Sequence, residues 1–198
     1  MTAARSILLR RERTTILLPM AITIELPELA SQTAFNLTRW REILTDLELA
    51  KLPYRIETDQ HGHLLMSPPP APLHGQRQIH IGTLLRQLLP NGTTLSECPV
   101  STAGGVKAVD VAWLGPGRPE KSRIRELILF ERAPDICVEI LSPSNSSSEV
   151  DEKRALYSDA GAVEVWICAL DGSMASFGSP DHQSPASSIC PDFPTSIP

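Results

Sequence analysis

Hydrophobic residues recur along the chain at two spacings, one typical of helices and one typical of strands. Two segments carry them on one helix face: Trp40, Ile43, Leu44 and Leu47 in the first, and Ile81, Leu84, Leu85 and Leu88 in the second. The first helix is expected to end before Pro53 and the second at Pro90. A third helix is predicted from an N-cap at Ser148 to Gly161.

Short apolar runs bounded by turn residues predict the strands. These runs are Tyr54–Thr58, His63–Ser67, Thr94–Cys98, Val106–Leu114, Ile136–Leu141, Val163–Cys168 and Met174–Phe177. The first two flank Gly62 and are typical of a hairpin. Because helical segments lie between strands, we expect an α/β fold with a mixed β-sheet flanked by α-helices.

The two ends of the chain differ from its middle. Residues 1–34 are interpreted as a partly disordered N-terminal lead-in, with four arginines in the first thirteen residues and an apolar stretch too short to cross a bilayer. Met1 and Met20 both stay open as the start of translation. Residues 35–178 are expected to form the domain. Residues 179–198 hold five prolines, five serines and no lysine or arginine, so we expect a disordered tail.

Charge and cysteine content narrow the class of protein. The net charge is -5, which argues against a protein that coats nucleic acid, although a bound divalent cation could supply local positive charge. The four cysteines are Cys98, Cys137, Cys168 and Cys190. They form no CxxC pair, so neither a zinc site nor a disulfide scaffold is indicated. We expect a cytoplasmic protein.

Two acidic residues lie inside otherwise apolar strands. Asp110 shares one face of the run 106–114 with Ala108 and Ala112, and Glu139 lies in the middle of the run 136–141. A buried carboxylate costs several kcal/mol unless a cation, a hydrogen-bond network or a metal ion meets it. Both residues are therefore candidates for a functional site.

The predicted third helix offers the cation. Lys153 shares a helix face with Tyr157, and that face is expected to turn toward the sheet. Two carboxylates could hold Mg²⁺, while Lys153 could stabilise developing charge. The alternatives are a solvent-facing Asp110 on an edge strand, a structural ion pair between Glu139 and Lys153, and a solvated Lys153.

Several segments together resemble a known family. They are residues 62–70 with His74, Val109 to Val111, Ala133 to Ser144, Asp151 to Tyr157, Ala160 with Gly161, and Glu164 to Trp166. From about residue 36 to 177 the chain resembles the Uma-type family of restriction endonucleases, in the PD-(D/E)XK nuclease superfamily. The resemblance implies a restriction-endonuclease-like fold.

The resemblance also implies residue roles. Asp110 matches the first acidic motif and Glu139 the second, so these two are the expected metal ligands, with Mg²⁺ or Mn²⁺ as the ion. Leu141 stands where a lysine is usual, and Lys153 matches the lysine that such families carry on the following helix. Glu57 and His74 match accessory positions of undefined role.

The implied reaction is hydrolysis of DNA phosphodiester bonds, leaving a 5′-phosphate and a 3′-hydroxyl. Asp110, Glu139 and Lys153 are the expected catalytic residues. A catalytically inactive module that binds nucleic acid or protein on the same fold is the alternative. A serine or cysteine hydrolase is disfavoured because the chain has no GxSxG elbow. We expect DNA as the partner and no membrane, and a homodimer stays open.

Overall fold

The computed structural model describes residues 28–118 and 123–198. The helices in this part of the chain are α1 (Leu29–Thr45), α2 (Pro72–Leu88) and α3 (Ser147–Asp159). The strands are β1 (Arg55–Thr58), β2 (Leu64–Ser67), β3 (Thr93–Thr102), β4 (Gly105–Leu114), β5 (Ile136–Ile140), β6 (Glu164–Cys168), β7 (Met174–Ser179) and β8 (His182–Ser184). Short 3₁₀ turns cover Leu49–Lys51 and Ile124–Glu126.

The main sheet has six strands in the order β3-β4-β5-β6-β7-β8. Its neighbours are antiparallel except for β5 and β6, which are parallel and joined by α3. Strands β1 and β2 form the predicted hairpin around Gly62, and β1 packs on β4. The prediction of an α/β fold with a mixed sheet and flanking helices is confirmed.

Both faces of the central strands are covered. On one face, α2 packs Ile81 and Leu85 against Val138 of β5 and its neighbours. On the other face, Tyr157 of α3 packs against Cys137 and the small residues around it. Strands β4, β5 and β6 are buried along their whole length, which explains why their sequences read as nearly continuous apolar runs.

The N-cap of helix α3 lies two residues before the predicted one. Ser146 accepts a hydrogen bond from the backbone N–H of Glu149, and the Glu149 carboxylate accepts one from the Ser146 N–H. This capping box places the cap at Ser146 instead of Ser148. The backbone turns into the left-handed region at Gly161, with φ of 96°, after the helix ends.

The chain ends differ from the expectations. Residues 1–27 of the predicted lead-in lie outside the described residues, and α1 begins at Leu29, before the expected domain boundary at 35. Instead of a disordered tail over 179–198, the structure shows β8 paired with β7, and Cys190 and Ile197 buried. A few apolar residues and backbone bonds, such as Ile197 N–H to the Gly172 carbonyl at 2.9 Å, dock this short segment.

Among the described helices, none combines the length and the apolar character that a membrane span requires.

Candidate active site

The ladder between β4 and β5 ends at the two predicted acids. The paired residues closest to them are Val111 and Val138, and one further step would place Asp110 opposite Glu139. Instead, the Asp110 Oδ2 accepts a hydrogen bond from the Ile140 N–H at 2.7 Å. The strands therefore leave regular pairing where the two carboxylates lie on neighbouring strands.

Asp110 is 1% exposed, and three groups meet its carboxylate. Besides the Ile140 N–H, an Arg55 guanidinium nitrogen donates to Oδ1 at 2.7 Å, and His74 Nε2 lies 3.2 Å from Oδ2. Burial acts to raise the pKa of Asp110, but the hydrogen bond to His74 and the charge of Arg55 outweigh it, so that pKa is lowered. Asp110 is therefore a carboxylate at neutral pH.

Glu139 is 7% exposed and bonded to two residues of α3. Lys153 Nζ donates to its Oε2 at 3.0 Å, and the Tyr157 hydroxyl donates to its Oε1 at 2.8 Å. Burial raises the pKa of Glu139 to about 7; the charge of Lys153 opposes this rise, and the negative charge of Asp110 adds to it. Glu139 is thus poised between its neutral and ionised forms.

Lys153 connects the hairpin to the sheet. Its Nζ also donates to Glu57 Oε1 at 3.1 Å, and that oxygen accepts the Ala108 N–H at 3.0 Å. Burial acts to lower the pKa of Lys153, but the charges of Glu139 and Glu57 outweigh it and hold that pKa above its ordinary value. Lys153 is therefore a cation and a hydrogen-bond donor at neutral pH.

Glu97 lies beside Asp110 on the other neighbouring strand. It has a φ of 52°, an uncommon value for a residue other than glycine, and it is skipped between the paired residues of β3 and β4. Gln78 Nε2 donates to Glu97 Oε1 at 2.5 Å, and Arg55 Nε lies 3.3 Å from its Oε2. The distorted backbone thus directs a further carboxylate toward Arg55.

A cavity of about 650 Å³ opens above these side chains. Its floor carries Arg55, Glu57, His74, Asp110, Glu139 and Lys153. Its walls are formed by residues 67–71, which include the three prolines, by residues 141–145, and by Leu73 and Leu170. The acids are therefore recessed below a largely apolar rim.

The structure brings all five sequence-predicted site residues, Glu57, His74, Asp110, Glu139 and Lys153, to one cavity floor. A solvent-facing Asp110 on an edge strand is ruled out, because β4 lies between β3 and β5 and Asp110 is buried. A solvated Lys153 is also ruled out, since its side chain is 24% exposed and bonded to two glutamates. A structural ion pair with Glu139 is compatible with this geometry.

Sequence reasoning missed Arg55, Gln78 and Glu97. Arg55 and Glu57 are two residues apart on the short strand β1, so both side chains lie on the same face and turn toward β4. This spacing could have identified Arg55 as a site residue once Glu57 was a candidate. Nothing in the sequence marks the positive φ of Glu97.

The donor set fits a divalent ion held by few protein ligands. No group of three or more His, Cys, Asp or Glu side chains gathers as a metal cage in the described part of the chain. Ionised carboxylates offer about four acceptor positions each. The hydrogen bonds above use three on Asp110 and two on Glu139, so lone pairs remain on both. Mg²⁺ and Mn²⁺ prefer such oxygens and keep several waters.

A solved structure shows which class of fold this is. The chain is similar to a protein from Anabaena variabilis described as "a putative nuclease belonging to DUF820", with a TM-score of 0.58 and 20% sequence identity. The match covers 75% of this chain and 92% of the other. At this identity the similarity shows the fold alone: the two proteins share an α/β domain with a mixed sheet.

The family follows from the sequence match. Residues 42–192 match the model of the Uma2 family, described as "Putative restriction endonuclease", and the chain belongs to that family. The match extends into the C-terminal segment that docks on the sheet, and it confirms the resemblance noted from the sequence motifs. No curated protein matches the chain. Family and fold together support a nuclease.

Proposed function

We propose that this protein is a Mg²⁺- or Mn²⁺-dependent endonuclease that hydrolyses phosphodiester bonds of DNA. The observation that supports this most is the pair of buried acids, Asp110 and Glu139, at the point where β4 and β5 stop pairing. Lys153 lies against one of them on the cavity floor.

Asp110 and Glu139 would hold the ion through their remaining lone pairs. When bound, the ion lowers the pKa of a coordinated water and neutralises charge on the phosphoryl oxygens. His74 fixes one oxygen of Asp110, and Tyr157 fixes one oxygen of Glu139. Through these contacts, His74 and Tyr157 orient the two carboxylates toward the cavity.

The role proposed for Lys153 is to supply a positive charge next to the reacting phosphate. Its raised pKa keeps the ammonium protonated, so it is not the group that removes a proton from water. In the reaction, a water oxygen bonds to phosphorus and gives up one proton to the surrounding solvent, the bond from phosphorus to the leaving 3′ oxygen breaks, and that oxygen takes up a proton. The negative charge that builds up on the phosphoryl oxygens is stabilised by the Lys153 ammonium.

One observation favours the inactive binding module instead. Arg55 and Lys153 already pair with Asp110 and Glu139, so the fold neutralises its own acids without an ion. Under that alternative the acids and cations form a structural network, and the cavity only binds a ligand. Metal-dependent turnover distinguishes the two.

The test is cleavage of plasmid and of labelled linear and single-stranded DNA with Mg²⁺, Mn²⁺ or excess EDTA. We expect cleavage that needs the ion and falls by about 10²-fold or more in Lys153→Ala, as when one transition-state donor is removed. Asp110→Asn should lose cleavage as well, because it alters a proposed metal ligand. Asp151→Asn is the matched control, because Asp151 is exposed on the same helix as Lys153 and pairs only with Arg154 in the described contacts.

Thermal melts of each variant separate lost chemistry from lost folding. Cleavage by the wild type that resists EDTA, or that survives in both Asp110→Asn and Lys153→Ala, would refute the proposal. A wild type that binds DNA and cuts none with either ion would favour the binding module.

A further inference from the structure

The cavity walls differ sharply from the cavity floor. The floor carries the charged groups, whereas the walls are mostly apolar and carry no charge: residues 68–71, Leu73, Leu141, Pro143 and Leu170 outnumber Ser67, Ser142, Ser144 and Asn145. Leu73 and Leu170 are 49% and 53% exposed, so apolar side chains also reach the rim. Apolar walls above a polar floor suit a ligand with a flat apolar part and a charged part, such as a nucleotide unit.

Every basic side chain in the lining already pairs with a protein group, so none is left to bind the phosphates of a second DNA strand. The basic residues of this lining among the described ones are Arg55, His74, Arg77 and Lys153, and His74 faces Asp110 at 3.2 Å. Arg55 and Lys153 bind the acids, and Arg77 donates to the carbonyls of Ala169 and Leu170. Duplex DNA carries one charge per ~1.7 Å of axis, and proteins hold it by neutralising phosphates with lysine and arginine. A net charge of -5 adds to this mismatch.

The far side of the site repels phosphate. A second cavity of about 320 Å³ shares Glu57, Glu139 and Lys153 with the first. Its lining adds Asp59, Glu149 and Glu152, and its Lys107 donates to the Thr58 carbonyl. A nucleic-acid strand is therefore expected to approach the acids across the apolar walls of the larger cavity.

We infer that the substrate at this site is an unpaired strand of DNA, taken up one or two nucleotides at a time between the apolar walls. This inference rests on the proposed function. A single strand can bend its backbone down to Asp110 and Glu139 while its bases lie against proline and leucine side chains. A duplex would first have to open there, which costs unpairing and unstacking energy.

The test presents one labelled strand in three forms: alone, fully paired, and paired except for a central unpaired segment. Cleavage is measured with Mn²⁺, and binding by fluorescence anisotropy with Ca²⁺, which also takes oxygen ligands. We expect the single strand and the unpaired segment to be bound and cut at least about tenfold better than the duplex, because only the duplex has to be opened.

A charge on the wall tests the path of the strand. Leu73→Glu places a carboxylate at the rim, in the first turn of α2, where the helix dipole tolerates it. Ile79→Glu makes the same change on the same helix, at a residue that is 74% exposed and outside the cavity lining. We expect Leu73→Glu to weaken single-strand binding severalfold and Ile79→Glu to leave it unchanged.

Equal binding and cutting of duplex and single strand would overturn the inference and leave the nuclease proposal intact. Equal effects of Leu73→Glu and Ile79→Glu, or no binding of the single strand, would also overturn it. Selective single-strand binding without any cleavage would support the assignment of the cavity and refute the proposed reaction.

Discussion

Two glutamates are buried on neighbouring parallel strands, and they are satisfied in opposite ways. Glu139 on β5 is met by the Lys153 ammonium and the Tyr157 hydroxyl, next to a second acid and below a cavity. Glu164 on β6, which is 4% exposed, accepts bonds only from neutral groups in the described contacts. These are the hydroxyls of Ser187 and Ser188, the indole of Trp166, and the N–H groups of Ser188 and Ile189.

The difference appears in their acidities. Burial raises the pKa of Glu139 to about 7. Burial also acts to raise the pKa of Glu164, but the hydrogen bonds from Ser187, Ser188 and Trp166 outweigh it, so that pKa is lowered. Burial of an acid therefore does not by itself mark a functional site. In our proposal, the neutral donors of the fold give Glu164 a structural role, whereas the open cavity beside Glu139 gives that residue a chemical one.

Removing the C-terminal segment should have the largest effect on stability. A chain that stops after Ser179 loses the donors of Ser187, Ser188 and Ile189 to Glu164 and the buried side chains of Cys190 and Ile197. We expect the free energy of unfolding to fall by at least about 3 kcal/mol, because these hydrogen bonds and the burial of the apolar side chains are lost together. Urea denaturation measures this; a change below about 0.5 kcal/mol would support the disordered tail expected from composition.

The sequence could predict the site acids more readily than the tail. Asp110 and Glu139 stand out because each interrupts an apolar run that is long enough to be a buried strand. The tail offers only isolated apolar residues among serines and prolines, and it bonds to Glu164, which lies 23 to 25 residues earlier in an unrelated strand pattern. Composition indicates how much apolar surface a segment could bury by itself, but it does not show which part of the fold the segment can bind.

The partner of Arg55 and the N-cap of α3 are two further features that the local sequence pattern could not predict. Arg55 lies in a four-residue strand whose partner acid is 55 residues away, so local pattern could not pair them. Ser146 and Ser148 are both plausible caps by residue type. The structure selects Ser146, whose backbone is extended and whose side chain and N–H both bond to Glu149.

Neutralising each glutamate should separate activity from stability. Glu139→Gln removes a proposed metal ligand, so we expect DNA cleavage to fall by about 10²-fold or more. Glu164→Gln should cleave at close to the wild-type rate, because its side chain contacts the C-terminal segment instead of the cavity. Single-turnover cleavage on one DNA substrate measures both; equal loss in the two variants would contradict the separation of roles.

For stability we expect the opposite order, with a larger loss in Glu164→Gln than in Glu139→Gln. Glu164→Gln weakens several charge-assisted hydrogen bonds, and we expect a loss of about 2 kcal/mol in the free energy of unfolding. Glu139→Gln should cost less, because a pKa of about 7 means that the fold accepts the neutral side chain nearly as well. Denaturant titration of both variants at neutral pH checks the order, and a larger loss in Glu139→Gln would reverse it.

The smallest effect concerns pH. The pKa of Glu164 lies below its ordinary value of 4.5, so its ionised form stabilises the fold above that pH. This contribution is lost as the pH falls through the lowered pKa. We therefore expect the stability difference between wild type and Glu164→Gln to narrow on acidification below about pH 4.5. Stability curves of both proteins measure this, and a constant difference would show that the charge of Glu164 contributes nothing.

The most direct test of the central claim is anomalous diffraction from crystals soaked in Mn²⁺. We predict a Mn²⁺ peak shared by the carboxylates of Asp110 and Glu139 in the wild type, absent in Asp110→Asn, and no peak at Glu164. A wild-type crystal that shows no ion at Asp110 and Glu139, with Arg55 and Lys153 still paired to them, would contradict the account. That result would mean that Glu139, like Glu164, has only a structural role.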